Sequence, residues 1–212
     1  MSNYLWQRLG AACGIVYVVL LLGGPSIGGP NIQIAFLMEI LAFLFFLFFL
    51  GNLWSALRRA EGGSGWLSAT AFGAGLMSVT IKVASAAPIL AVRYRAGDGL
   101  DPQLARTLQD INDASFYLSF FPLAVLLAAF AIVVIRSGAL PKWLGWIAAA
   151  VGLGFIVGGM SGSADLQSEW AGVPMILFTL WVIAVSVVLI QRAGQLLPTV
   201  NTALTSTVNE TG

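Results

Sequence analysis

Two ionisable side chains, Glu39 and Lys82, fall inside stretches of the 212-residue chain that are otherwise almost wholly apolar. A charge left alone at mid-bilayer costs roughly 2.5–3.5 kcal/mol on insertion scales, so such residues face the inside of a helix bundle and find partners. Glu39 lies about five residues, and Lys82 about ten, from the same ends of their stretches, or ~8 and ~15 Å at helical rise. Lysine's long stem can close much of that gap. Two chemistries follow. The pair can close into a buried salt bridge that fixes the register of two helices. It can instead form a site, with Glu39 as a proton donor and Lys82 as anchor for an anionic headgroup or substrate.

Other polar groups can converge on this level. Ser78 and Ser85 follow the Lys82 helix face, and Asn112, Asp113, Ser115, Tyr117 and Ser119 lie near the start of the next apolar stretch. Ser161 and Ser163 lie just beyond the fifth. Tyr17 and Trp181 sit deep in their own stretches, away from the interfaces where aromatic belts form. A central Trp181 can stack on a ligand or simply fill core volume.

What is absent bounds the chemistry. The chain has no histidine and one cysteine, Cys13. Histidine-based zinc, copper and haem sites, iron–sulfur clusters, intramolecular disulfides and Ser-His-Asp catalysis are excluded. We assign no catalytic residue, metal or cofactor. Asp110 and Asp113 are three apart, but two carboxylates without a ligand-dense loop do not make a cation site. The composition is 58% hydrophobic and only 9% charged, with a net charge of +1. Soluble domains carry about 25% charged residues. A soluble domain, a disordered chain and a nucleic-acid binder are thereby excluded.

These residues must be positioned by membrane helices. A spanning helix takes about 20 apolar residues, and six stretches qualify: about 9–24, 34–57, 66–92, 114–135, 143–160 and 173–190. The pattern predicts an all-α membrane protein. Residues 1–192 form a single six-helix transmembrane bundle, and 193–212 form a short, flexible tail. The first stretch follows Arg8 and ends in small residues, as a secretory leader does, but we read it as a retained helix. Gly23-Gly24-Pro25 is expected to stop the first helix and Gly28-Gly29-Pro30 to turn the chain. Glu61-Gly62-Gly63-Ser64-Gly65 and Ser137-Gly138 with Pro141 make tight links between antiparallel neighbours.

Lysine and arginine set the orientation. Arg8, Arg58, Arg59, Arg136, Lys142 and Arg192 fall on one side. Arg93, Arg95 and Arg106 share the other with Asp98, Asp101, Asp110, Asp113, Asp165 and Glu169. Both termini are therefore expected in the cytoplasm. Trp6, Trp54, Trp66, Trp143 and Trp146 fall on that same side as an aromatic belt, with Trp170 opposite. In the external loop, Asp101-Pro102 has the form of a helix start, followed by Leu104, Leu108 and Ile111 at helical spacing. That helix either projects from the membrane or, in the reading preferred here, forms an interfacial turn lying on the bilayer.

Helices in lipid associate through small and polar residues. Gly10 and Gly14 mark such a face on the first helix, and Ala71, Gly75, Ser78, Lys82 and Ser85 mark one on the third. Ala150, Gly154, Gly158 and Gly162 form a ridge on the fifth. Phe43, Phe45, Phe46, Phe48 and Phe49 give the second helix bulk all round and suggest that it faces lipid over much of its circumference. Pro88, Pro122 and Pro174 all fall in the outer half, where kinks or an outward cavity are expected.

The junction Arg136-Ser137-Gly138-Ala139-Leu140-Pro141-Lys142-Trp143-Leu144-Gly145-Trp146 resembles one found in many bacterial integral membrane proteins, especially actinobacterial ones, grouped as domains of unknown function. Leu100-Asp101-Pro102 and Asp110-Ile111-Asn112-Asp113-Ala114 are similar to that group as well. The resemblance covers about residues 61–190. It implies a multi-pass fold in the bacterial cytoplasmic membrane and carries no activity.

Functions of three classes fit. The leading one is binding or transport of a small lipophilic or anionic molecule in an outward-facing cavity near Glu39 and Lys82. The second is a structural or accessory subunit without ligand, whose glycine ridge meets a membrane partner or a second copy. The third is an intramembrane acid–base enzyme of isomerase or cyclase type, with Glu39 as general acid and Asp113 or Tyr117 as second group. The partners expected are the lipid bilayer, a small-molecule or lipid ligand, and a homo-oligomer or membrane partner, with no nucleic acid.

Overall fold

The computed structural model describes residues 3–28, 32–95, 99, 101–164 and 172–193. Seven helices are described: α1 Asn3–Gly28, α2 Ile32–Glu61, α3 Trp66–Tyr94, α4 Pro102–Leu118, α5 Phe120–Ser137, α6 Lys142–Ala164 and α7 Gly172–Arg192. Ser119 joins α4 to α5 with right-handed backbone (φ −67°, ψ −15°). Together they make one 36-residue span candidate, and six helical stretches are long and apolar enough to cross a membrane. Residues 29–31, which include Gly29 and Pro30 of the expected turn, together with Asp98, Asp165, Glu169, Trp170 and the residues from 194 onward, lie outside the described residues.

Successive spans run antiparallel and close into a ring in chain order, α1–α2–α3–α5–α6–α7, with α7 back against α1 and α2 reaching across to α5. We call the end with the 62–65 and 138–141 turns the turn end, and the opposite end, with Asp101 and Gly172, the far end. Phe46, Phe49, Phe130, Phe155, Phe178 and Trp181 fill the interior. α2 does face outward over much of its circumference, but its phenylalanines do not all lie on that side. Phe48 is 69% exposed, but Phe43, Phe46 and Phe49 are buried. These three recur every third residue, share one face, and bring Phe46 onto Tyr17 and Phe178. The tryptophans divide cleanly: Trp6, Trp54, Trp66, Trp143 and Trp146 are exposed at the turn end, whereas Trp181 is buried.

α1 runs past the expected stop at Pro25 to Gly28. Proline lacks one donor, but its fixed φ suits a helix, so it kinks more readily than it ends one. At the far end, Asp101 caps α4 by accepting from the Gln103 N–H at 3.0 Å, with Pro102 in the first position. α4 is a 17-residue helix that starts at Pro102, as the Asp101-Pro102 pair predicts, rather than a single turn. α4 continues into α5 and packs on α3, and 36 residues span about 54 Å, well beyond a ~30 Å hydrocarbon core. The joint at Ser119 lies three residues before Pro122, and the Ser78 hydroxyl of α3 donates to the Ser119 carbonyl at 3.1 Å.

The ridge on α6 also differs from expectation. Gly154 and Gly158 receive Pro174, and Gly158 also receives Phe120, while Gly162 lies under the Tyr117 ring. Ala150, however, is exposed. Residues four apart advance 400° and drift about 40° per step, so the row leaves the contact within two steps. The face that packs against α5 is Gly145, Gly152 and Gly159, seven apart.

At the turn end, Gly62, Gly63 and Gly65 take φ of 64°, 51° and 66°, a region open to glycine at little cost. Gly65 has no side chain with which to cap α3. Glu61 does so from the preceding helix, accepting from the Leu67 N–H at 3.0 Å, the Ser68 N–H at 2.8 Å and the Ser68 hydroxyl. Replacing Glu61 by alanine strands these donors. We expect a loss of about 0.5–2 kcal/mol, the range for a removed helix cap, and a smaller loss for Glu61→Gln. Unfolding in mixed detergent–SDS micelles checks both, and equal stability of Glu61→Ala and the native chain would refute the capping role.

Candidate functional site

The charged residues meet at the far end. α2 and α3 are held together towards the turn end by the Glu61 cap and by Gly75, which lies close to Leu50. Towards the far end they face small residues, Gly24, Ala35 and Ala86, that leave space unfilled. The result is a cavity of ≈450 Å³ between α1, α2, α3 and α4. Glu39, Lys82, Arg93, Gln109 and Asn112 supply its polar lining, and Leu20, Leu21, Phe36 and Ile89 its apolar walls. A chamber of ≈90 Å³ leads on inward and shares Leu21, Glu39 and Lys82 with it. Tyr17, Ser78, Phe116 and Ser119 line that chamber, and Phe46 and Phe178 also wall it.

Among the described residues no salt bridge joins Glu39 to Lys82. Lys82 Nζ stands 4.6 Å from the centroid of the Phe116 ring, a cation–π contact. Glu39 and Asp113 are the carboxylates within electrostatic range of the ammonium. The two charges therefore share one cavity at electrostatic range without closing into a salt bridge.

The structure sorts the remaining candidates. Asn112 lines the cavity, while Asp113 stands behind it. The Asp113 Oδ1 atom accepts from Gln109 Nε2 and from Asn112 Nδ2, each at 3.1 Å, and so orients two amides of the lining. Ser78 reaches the inner chamber but is engaged with the Ser119 carbonyl. Ser85 lines neither cavity, because its hydroxyl bonds back to the Lys82 carbonyl at 2.8 Å. Tyr117 is buried against Gly162 between Phe116 and Phe120, and lines neither cavity. Ser115 bonds back to Ile111. Trp181 is likewise away from both cavities. It packs edge-on to Phe130 and stacks on Phe178, and its indole N–H donates to the Leu144 carbonyl at 3.3 Å. Gly10 and Gly14 lie at helix contacts, against Asn52 and against Phe49 and Ser186.

Arg93 and Gln109 complete the lining and were not anticipated. Their signal was present. Lys82, Ala86, Ile89 and Arg93 continue one face of α3, and Gln109, Asn112 and Phe116 follow one face of α4.

A family model described as a domain of unknown function, DUF4386, matches residues 26–193. The chain belongs to the DUF4386 family. The match takes in α2 to α7, and with them Glu39, Lys82, Arg93, Gln109, Asn112 and Asp113. It begins about 35 residues before the resemblance noted from the junction motif and its neighbours. No curated protein and no solved structure matches the chain. Membership of DUF4386 and six apolar helices make this an integral, multi-pass membrane protein.

Proposed function

We propose that the protein binds a small molecule with an anionic group and an apolar body in the far-end cavity. The observation that carries this reading is a ≈450 Å³ space in which Lys82 and Arg93 meet apolar walls. We further propose that the far end is the outer side of a bacterial cytoplasmic membrane of actinobacterial type, with both termini in the cytoplasm. The arginine-rich turn end and its exposed tryptophans support that orientation. Binding is favoured over a continuous pore, because the inner chamber ends on Phe46 and Phe178. The accessory-subunit reading relied on the ridge of α6, which Pro174 and Phe120 of the same chain cover. The enzyme reading relied on a second group beside Glu39. Tyr117 is packed elsewhere, and Asp113 is held by two amides.

Native mass spectrometry after gentle extraction tests the reading, comparing the native chain with the Glu39→Gln/Lys82→Met double variant. A defined small molecule is expected on the native chain. Charge-assisted hydrogen bonds contribute about 1.5–3 kcal/mol, so its affinity should fall about ten- to a hundredfold in a variant with unchanged thermal stability. An empty native chain, or equal occupancy of the two proteins, would overturn the proposal.

A further inference from the structure

The two charges at the bottom of the cavity say more about the ligand than its volume does. We infer that the ligand is a zwitterion, with an ammonium group received by Glu39 and an anionic group received by Lys82. This rests on the binding reading above. Both side chains line the outer cavity and the inner chamber, so they meet whatever reaches the junction of the two. Each is left without its opposite charge directly on it, since Lys82 lies against Phe116 and no salt bridge joins it to Glu39. In low dielectric an uncompensated charge is costly, and so is a like charge brought near it.

Each simpler ligand fails one of the two groups. A plain anion satisfies Lys82 and is repelled by Glu39. A plain cation does the reverse. A neutral lipophile gives neither charge a directional partner. A molecule with an ammonium close to a carboxylate or phosphate satisfies both at once and gains directional hydrogen bonds from each. The chamber sets the scale. At ≈90 Å³ it admits only small groups, so the charged groups that reach the junction sit on a short linker. Arg93, Gln109 and Asn112 stand nearer the mouth and add donors for the anionic part. The apolar walls formed by Leu20, Leu21 and Ile89 take a hydrocarbon portion.

Two sources present this chemistry, an aminophospholipid headgroup and a free amino acid or phosphoethanolamine. Binding to the full chain in detergent is measured with short-chain phosphatidylethanolamine, phosphatidylglycerol as the amine-free anion, phosphoethanolamine and leucine. An amine-bearing probe is expected to bind at least about tenfold more tightly than phosphatidylglycerol, a difference of about 1.4 kcal/mol. Glu39→Gln should erase that preference, with phosphatidylglycerol binding retained or strengthened as the repulsion is removed, and Lys82→Met should weaken both. Thermal unfolding confirms that each variant is folded. Binding of the lipid alone assigns a headgroup, and binding of the free solutes assigns a soluble ligand. Equal binding of phosphatidylglycerol and the amines, or a preference that survives Glu39→Gln, overturns this inference and leaves the binding reading standing. If no probe binds and the native chain carries no molecule, both fall.

Discussion

Replacing Trp181 with alanine is expected to destabilise the bundle by about 3 kcal/mol, the lower end of the range for aromatic truncation in cores, without removing the ligand from molecules that remain folded. Trp181 is 2% exposed and joins Phe130 and Phe178 in the interior, while the cavities end above it on Phe178. The lower end applies because separated helices in a bilayer still hold their tryptophan in lipid, so the hydrophobic transfer term largely cancels. What remains is the void, the aromatic contacts at about 0.5–1.5 kcal/mol each, and the indole bond to the Leu144 carbonyl. Interhelical hydrogen bonds in membranes average about 0.6 kcal/mol. Trp181→Phe retains most of the packing and loses that bond, so its cost should stay near 1 kcal/mol. SDS-driven unfolding gives the stabilities, and native mass spectrometry of the folded fraction gives the occupancies. If Trp181→Phe emptied the site at undiminished stability, Trp181 would be a ligand contact after all.

The different fates of Trp181 and Lys82 show how far the sequence could be read. Span number followed from the length of the apolar runs, because lipid leaves a backbone few alternatives to the helix. Lys82 could be placed facing inward because a charge has nowhere else to go cheaply. Trp181 is equally at home on a ligand or in a core, and only its neighbours Phe130 and Phe178 decide. Phe43, Phe46 and Phe49 were hidden among other phenylalanines. Lipid and protein interior are both apolar, so hydrophobicity does not tell the buried face of α2 from the exposed one. The apolar run ends at Val92 and so predicts Arg93 in the loop, yet α3 continues to Tyr94 and carries Arg93 onto the cavity wall. Whether Glu39 and Lys82 would close on one another was beyond the sequence altogether. It depends on how far the small residues Gly24, Ala35 and Ala86 let the far ends of the helices stand apart.

Gly14→Ala is expected to destabilise by about 1–3 kcal/mol, the cost of overpacking a close contact, although alanine is the better helix former by about 0.8–1.0 kcal/mol. In a bilayer the separated helices are already helical, so that propensity appears on both sides of the equilibrium and contributes little. The steric term is left to decide. A Cβ on Gly14 would stand 2.6 Å from Phe49 Cδ2 and against the Ser186 hydroxyl, at the meeting of α1, α2 and α7. Phe49 and Ser186 are both fully buried, and the large Phe49 ring has no open space into which to swing aside. Ser186 Oγ has no hydrogen-bond partner, which makes Ser186→Ala nearly neutral or mildly stabilising on its own. The double variant should therefore recover part of the loss, with a coupling of about 0.5–3 kcal/mol between the sites. The remainder belongs to Phe49. Gly73→Ala is the control, since a Cβ there meets nothing within 4 Å, and its effect should stay within about 0.5 kcal/mol. If Gly14→Ala proved as well tolerated as Gly73→Ala, α1 would not be in the close contact with α2 and α7 that closes the ring.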